Sequence, residues 1–186
     1  MIVRQRTLVR NGLDAALGGV KESVRSAFET THERLAEMGI PHALVGGLAV
    51  GAHGYQYATQ DVDWLVPDSA FEGTTIVTFK PGMIVSAHGV AIDYLTPTGP
   101  ANVLAAMREA LEASEAALDH VIVIGEELLV WMKLKAGRSK DITAVVEMLR
   151  AGQIDAEAVF GFLVKAGDQL VLKRFRAAAD QSASEE

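Results

Sequence analysis

The run Asp61-Val-Asp-Trp-Leu-Val66 constrains the fold of this chain more than any other stretch. Val62, Trp64 and Val66 fall on one side and Asp61 and Asp63 on the other, the period of two residues that belongs to a strand with one face buried. Short strands also fit His42–Val45, Thr75–Phe79, Met83–Ser86, Val90–Leu95 and Val121–Ile124, with His88-Gly89 as the turn of an antiparallel meander. On both sides of this region the hydrophobic period lengthens to that of a helix. Val20, Val24, Ala27, Phe28, Thr31, Leu35 and Met38 predict one long helix from Leu13 to Met38, stopped by Gly39 and Pro41. A brief helix is expected over Leu48–His53, another over Pro100–Ser114, and helices again from Glu126 onward. There, Glu126–Ala136 ends at Gly137, Ser139 caps a helix through Arg150, Asp155 caps the next, and Asp168–Ala179 closes the series. The fold class that follows is α+β: a small mixed sheet flanked by an N-terminal helix and a helical C-terminal portion. At 186 residues the chain suits one domain over 1–180, with a core at about 40–125 and the helical portion at about 126–179. Residues 181–186 have nothing to bury and are expected to be disordered.

Composition removes several classes of function. No cysteine is present, which excludes disulfide frameworks, thiolate nucleophiles, iron–sulfur clusters and thiolate zinc, and suits a reducing compartment. The net charge of −7 argues against a sequence-independent duplex binder that relies on a large basic surface. No apolar run approaches the roughly 18 residues of a membrane span, and the first ten residues lack the apolar segment of a secretion signal, so a cytoplasmic protein without a membrane partner is expected. The serines lack a Gly-x-Ser-x-Gly elbow, and neither a P-loop nor a dinucleotide glycine fingerprint occurs. His42, His53, His88 and His120 show no ligand spacing, and Trp131 reads as core.

The residues that can carry chemistry come in a fixed order. Gly46-Gly47 follows an apolar strand, thirteen residues intervene, Asp61 and Asp63 share one strand face, and a lone Asp93 sits in the alternating run Val90–Leu95. A Gly-Gly pair alone is most often a tight turn, and an Asp-x-Asp alone is usually solvated. The ordered set is another matter. Carboxylates two apart on a strand can both ligate a hard cation, and oxygen ligands without sulfur favour Mg²⁺ or Mn²⁺. Two such ions suit in-line phosphoryl displacement, and glycines let backbone amides approach a phosphate. Charge is distributed to match: residues 38–107 set Lys80 against Asp61, Asp63, Asp68, Glu72 and Asp93, whereas residues 131–150 set Lys133, Lys135, Arg138, Lys140 and Arg150 against Asp141 and Glu147. For Lys135 and Arg150 a solvated helix face explains the charge equally well.

This order resembles the nucleotidyltransferase superfamily of the DNA polymerase β type, over roughly residues 40–95. Ala43-Leu-Val-Gly-Gly-Leu-Ala-Val-Gly-Ala-His-Gly-Tyr55 followed by Thr59-Gln-Asp-Val-Asp-Trp-Leu-Val66 is most similar to the minimal bacterial branch that includes AbiEii-type toxins of toxin–antitoxin systems. Glu127-Leu-Leu-Val-Trp-Met-Lys-Leu-Lys-Ala-Gly-Arg-Ser-Lys-Asp141 is similar to that branch's helical segment, in which a lysine and then Arg-x-Lys-Asp face the active site. The resemblance implies metal ligation by Asp61, Asp63 and Asp93, with Asp93 as candidate base. It implies triphosphate contacts at Gly46 and Gly47, and further nucleotide contacts at Thr59, Lys133, Arg138 and Lys140. The implied activity is transfer of a nucleoside monophosphate from a nucleoside triphosphate to an acceptor hydroxyl on tRNA, a protein or a small molecule, with an antitoxin-like protein as partner. One position departs from the branch, Tyr57, where an arginine is common. That departure supports the rival reading, a catalytically silent binding or antitoxin-like module with the same fold.

Overall fold

The computed structural model describes residues 12–55, 58–72, 78–117, 120–152 and 154–184. Its architecture is α+β. A short helix over 12–19 (α1) leads into α2 (Glu22–Glu37), β1 (Ala43–Val45), α3 (Gly46–Ala52) and β2 (Asp61–Leu65). After a 3-10 turn at Asp68–Ala70 come β3 (Phe71–Glu72), β4 (Thr78–Phe79), β5 (Ser86–Ala87) and β6 (Val90–Leu95). The rest is α4 (Ala101–Ala116), β7 (Ile122–Val123), α5 (Glu126–Ala136), α6 (Ser139–Arg150), α7 (Ala156–Ala166) and α8 (Gln169–Ala183).

Five strands form one mixed sheet in the order β5-β6-β2-β1-β7. β2 runs antiparallel to β1 and parallel to β6, and β1 is parallel to β7. The expected meander is therefore only half present. β5 and β6 do form a hairpin through His88 and Gly89, both at positive φ as a tight two-residue turn demands. β6 then meets β2 in parallel, because the chain leaves β2 for a separate two-stranded ribbon, β3 with β4, before returning. Met83–Val85 carry no strand; the pairing starts at Ser86. Residues 75–77 of the expected Thr75–Phe79 strand lie outside the described residues.

Three helix expectations also change. The long N-terminal helix is broken at Val20-Lys21, where Lys21 is extended at the start of α2 and the Arg25 side chain donates to the Leu17 carbonyl at the end of α1. The stripe of apolar residues persists across the break, which is why periodicity alone hid it. α6 is capped by Arg138 in extended conformation, with no side-chain bond to the helix's backbone amides, and Ser139 is its first helical residue. α8 continues through Gln181, Ser182 and Ala183 instead of dissolving, with the Ser182 and Ser184 hydroxyls donating to the carbonyls of Ala179 and Asp180. Glu185 and Glu186 lie outside the described residues. Asp155 and Asp168 cap α7 and α8, each carboxylate accepting two backbone N–H bonds.

Behind the sheet, Trp64 from β2 is fully buried and stacks on Phe28 of α2 with ring centroids 5.4 Å apart. Its indole N–H donates to the Thr31 hydroxyl at 3.0 Å, and Thr31 in turn donates to the Ala27 carbonyl at 2.7 Å. One buried apolar cluster runs from Leu13 in α1 to Ala178 in α8, so the C-terminal helices and the sheet share one core.

Candidate active site

The carboxylates converge because of strand order. Parallel pairing of β2 with β6 puts Asp93 directly beside Asp63, and antiparallel pairing with β1 puts Val45 on its other side, one residue before Gly46. One oxygen from each of Asp61, Asp63 and Asp93 lies within 4.8 Å of the others, a group that can hold a metal ion. Asp61 and Asp63 are half-buried and Asp93 is exposed. The donor set is all oxygen, half sheltered and open on one side, which fits a hard divalent cation that keeps ligand positions for a substrate.

Gly46 is needed here for two reasons. Its φ of +68° is strained for any residue with a side chain, and a Cβ at this position would lie 1.8 Å from Asp63 Oδ2. Asp63 is thus seated against the first residues of α3, Gly46 and Gly47, whose backbone favours its charged form. Burial, then the charges of Asp61 and Asp93, push the Asp63 carboxyl up to about 6, against the opposing pull of Lys133 and the Gly47 backbone.

The opposite wall comes from α5 and α6. Gly137, at φ +65°, ends α5 and lets α6 fold back beside it. That reversal brings Lys133 and Arg138 to a common partner, Asp141, which has no solvent exposure. Lys133 Nζ lies 3.1 Å from Asp141 Oδ1, and Arg138 Nε donates to Oδ2 at 2.6 Å. Burial alone would raise the Asp141 carboxyl, but the hydrogen bonds from Arg138 and Lys133 hold it below its ordinary range. Lys133 is itself 7% exposed, so this knot of charges is packed into the protein while Arg138 reaches out to solvent.

Between the walls lies a cleft of about 120 Å³. Gly46, Gly47, Asp61, Asp63 and Asp93 line one side and Lys133, Arg138, Lys140 and Asp141 the other. Thr59 does not line it. Instead the Thr59 hydroxyl donates to Asp61 Oδ1 at 2.6 Å, so it orients a carboxylate from behind. Lys135 pairs with Asp168 and Arg150 with Glu147, both away from the cleft lining. Tyr57 lies outside the described residues.

The sequence counts Asp141 among the charges of residues 131–150 and, by resemblance, as the end of an Arg-x-Lys-Asp element facing the site, without making it the buried partner of Lys133 and Arg138. The signal was present: Asp141, Ala144, Val145 and Met148 form the buried stripe of α6, and a carboxylate on such a stripe must find cations inside the fold. The chain matches no family model and no curated protein. Among the described residues, no helix is long and apolar enough to cross a membrane.

Proposed function

We propose that the protein is a metal-dependent nucleotidyltransferase: it moves a nucleoside monophosphate from a nucleoside triphosphate to an acceptor hydroxyl. The observation that carries this reading is one cleft with a three-carboxylate cluster on one wall and Lys133, Arg138 and Lys140 on the other. Asp61, Asp63 and Asp93 would hold Mg²⁺ or Mn²⁺, which when bound neutralises polyphosphate charge and activates the attacking oxygen. Asp93, the exposed member of the cluster, accepts the proton of the acceptor hydroxyl as its oxygen bonds to the α-phosphorus. The bond from that phosphorus to the bridging oxygen breaks, and pyrophosphate leaves. Lys133, Arg138 and Lys140 face the leaving group and stabilise its developing charge. Gly46 and Gly47 leave the backbone bare beside the phosphates.

The resemblance of residues 40–95 extends the reading to the toxin of a toxin–antitoxin pair, with an antitoxin-like protein partner. The second reading, a silent binding module, is favoured by Tyr57 standing where that branch commonly has arginine. Calorimetry with each of the four ribonucleoside triphosphates at millimolar Mg²⁺ or Mn²⁺, followed by release of pyrophosphate with candidate acceptors, tests the proposal. Metal-dependent binding that Asp63→Asn abolishes is the expected result. Binding of none of the four sinks the transfer reading, and binding without any pyrophosphate release in the presence of tRNA, protein and small-molecule acceptors favours the silent module.

A further inference from the structure

The α5–α6 turn consists of Gly137 and Arg138 alone. A helix leaves its last four carbonyls without donors of its own. In α5 the Lys133 carbonyl accepts from the Gly137 N–H at 2.9 Å, the single bond of a left-handed cap. The chain then enters α6 at once, and the next two carbonyls accept from a distant helix. Arg174 of α8 donates through Nη1 to Leu134 O at 2.6 Å and to Lys135 O at 3.2 Å. Its guanidinium fills the space beside the turn: a Cβ on Gly137 would lie 2.2 Å from that same Nη1. A second tie flanks the first, since Lys135 Nζ lies 2.7 Å from Oδ2 of Asp168, the residue that caps α8.

This grip matters for the cleft because of what the turn carries. The Arg138 side chain is 63% exposed and has little packing to hold it. Its place is set by its backbone at the start of α6 and by its bond to Asp141. Whatever fixes the turn therefore fixes the guanidinium. We propose that Arg174 is a positioning residue for the cleft: by holding the end of α5 against α8, it sets the Gly137-Arg138 turn so that the Arg138–Asp141 pair, three residues apart at the start of α6, is held in its bonding geometry at the cleft wall. Arg174 is not among the residues that line the cleft; it acts through Arg138. The consequence for nucleotide binding rests on the transferase reading, whereas the positioning itself does not.

Nitrogen-15 spectra of the arginine side chains separate the two. In the wild type the Arg138 Nε–H is held by Asp141 and should exchange slowly with water. In Arg174→Ala its resonance should move toward the free-arginine position, with exchange about tenfold faster, the loss of a bond worth roughly one factor of ten. Arg174→Lys, which keeps the charge and offers a single primary ammonium, should give an intermediate signal, or a displacement in the same direction if the alanine variant does not fold. Arg176→Ala, which removes another guanidinium of α8, one lying over Phe160 of α7, should leave Arg138 unchanged. An Arg138 signal at its wild-type position in the folded Arg174 variants, or an equal displacement in Arg176→Ala, overturns the proposal. Calorimetry with a magnesium triphosphate adds the functional arm, where Arg174→Ala should weaken binding by about tenfold. If the wild type binds no triphosphate, the transferase reading fails while the Arg138 signal still decides the positioning.

Discussion

Asp63 and Trp64 are neighbours on β2, and the fold treats them in opposite ways. Trp64 points to the rear, where its ring meets Phe28, His32 and His42 and its N–H has the Thr31 hydroxyl. The polar groups there are paired with defined roles. His42 Nδ1 faces the Ile40 carbonyl at 2.7 Å and must donate to it, so its Nε2 accepts from His32 Nδ1 at 2.7 Å. His42 also donates its backbone N–H to Ser114. Asp63 points to the front, where its nearest charged company is two more carboxylates and the compensation is partial. The rear of the strand is built to be stable, and the front holds charge that only a cation can fully settle. One strand with period two separates these tasks by a single residue.

The largest test of this contrast is Trp64→Ala. Removing a fully buried indole leaves a cavity and strips the Thr31 hydroxyl of its donor, a loss of about 3–5 kcal/mol. Urea denaturation should show that loss, while divalent-cation binding by the folded protein stays near wild type. A cost below about 1 kcal/mol, or a lost metal site in a folded variant, would mean that the two faces are not independent.

Acidity sharpens the comparison, because the two faces titrate in opposite senses over one window. Burial lowers His42 from 6.5 to about 4, so the unfolded chain takes up that proton first as pH falls. His42 therefore withdraws stability as pH drops from 6.5 toward 4, and His32, lowered by burial as well, acts in the same direction. Asp63 is raised from 3.8 to about 6, so the folded chain holds its proton longer. Its stabilising contribution is complete below 3.8 and is lost as pH rises through 6. Each limb amounts to about 3 kcal/mol, because every tenfold change in proton affinity between the folded and unfolded chain is worth roughly 1.4 kcal/mol. Across pH 4–6.5 the metal-free wild type should be nearly level where these two groups are concerned. Asp63→Asn should instead gain stability with rising pH, and His42→Asn, which keeps a donor for Ile40, should lose it. Denaturation at pH 4, 5, 6 and 7 gives the slopes, and background titrations cancel in the differences. Saturating Mg²⁺ should give the wild type the slope of Asp63→Asn. Identical slopes in all three proteins would show that the front carboxylate carries no such cost.

What the sequence exposes is local, and what it hides is non-local. The bounds of α5 were readable because Gly137 stops an unbroken helical period, and Asp61 and Asp63 were readable as a pair because alternation fixes their face within one strand. The place of Asp93 opposite Asp63 depends on β6 joining β2 in parallel after the β3–β4 ribbon, and no local pattern states a partner strand. The His32–His42 pair is ten residues apart across the end of α2, with no motif to announce it. Asp141 lies between these cases: its burial was legible in the stripe of α6 and Arg138 is a local partner three residues before it, but Lys133 meets it only when Gly137 reverses the chain.

The smallest effect distinguishes a residue that supports the front face from one that supports the fold. Thr59 is 8% exposed, and its hydroxyl donates to Asp61 Oδ1, fixing the direction of a carboxylate that lines the cleft. Valine has nearly the same shape and leaves no buried donor without an acceptor. Asp61 is only half-buried, so water can replace the lost bond. Thr59→Val should therefore cost at most about 1 kcal/mol of stability. Metal affinity should suffer more, because a carboxylate free to rotate must be ordered when the cation binds; a weakening of about tenfold is expected. Thr59→Ser, which restores the hydroxyl, should recover most of it. This is the reverse of Trp64→Ala, where stability falls and affinity holds. Should Thr59→Val bind Mn²⁺ as tightly as wild type by calorimetry, the Thr59–Asp61 bond merely closes the start of β2, and the front face ends at the carboxylates themselves.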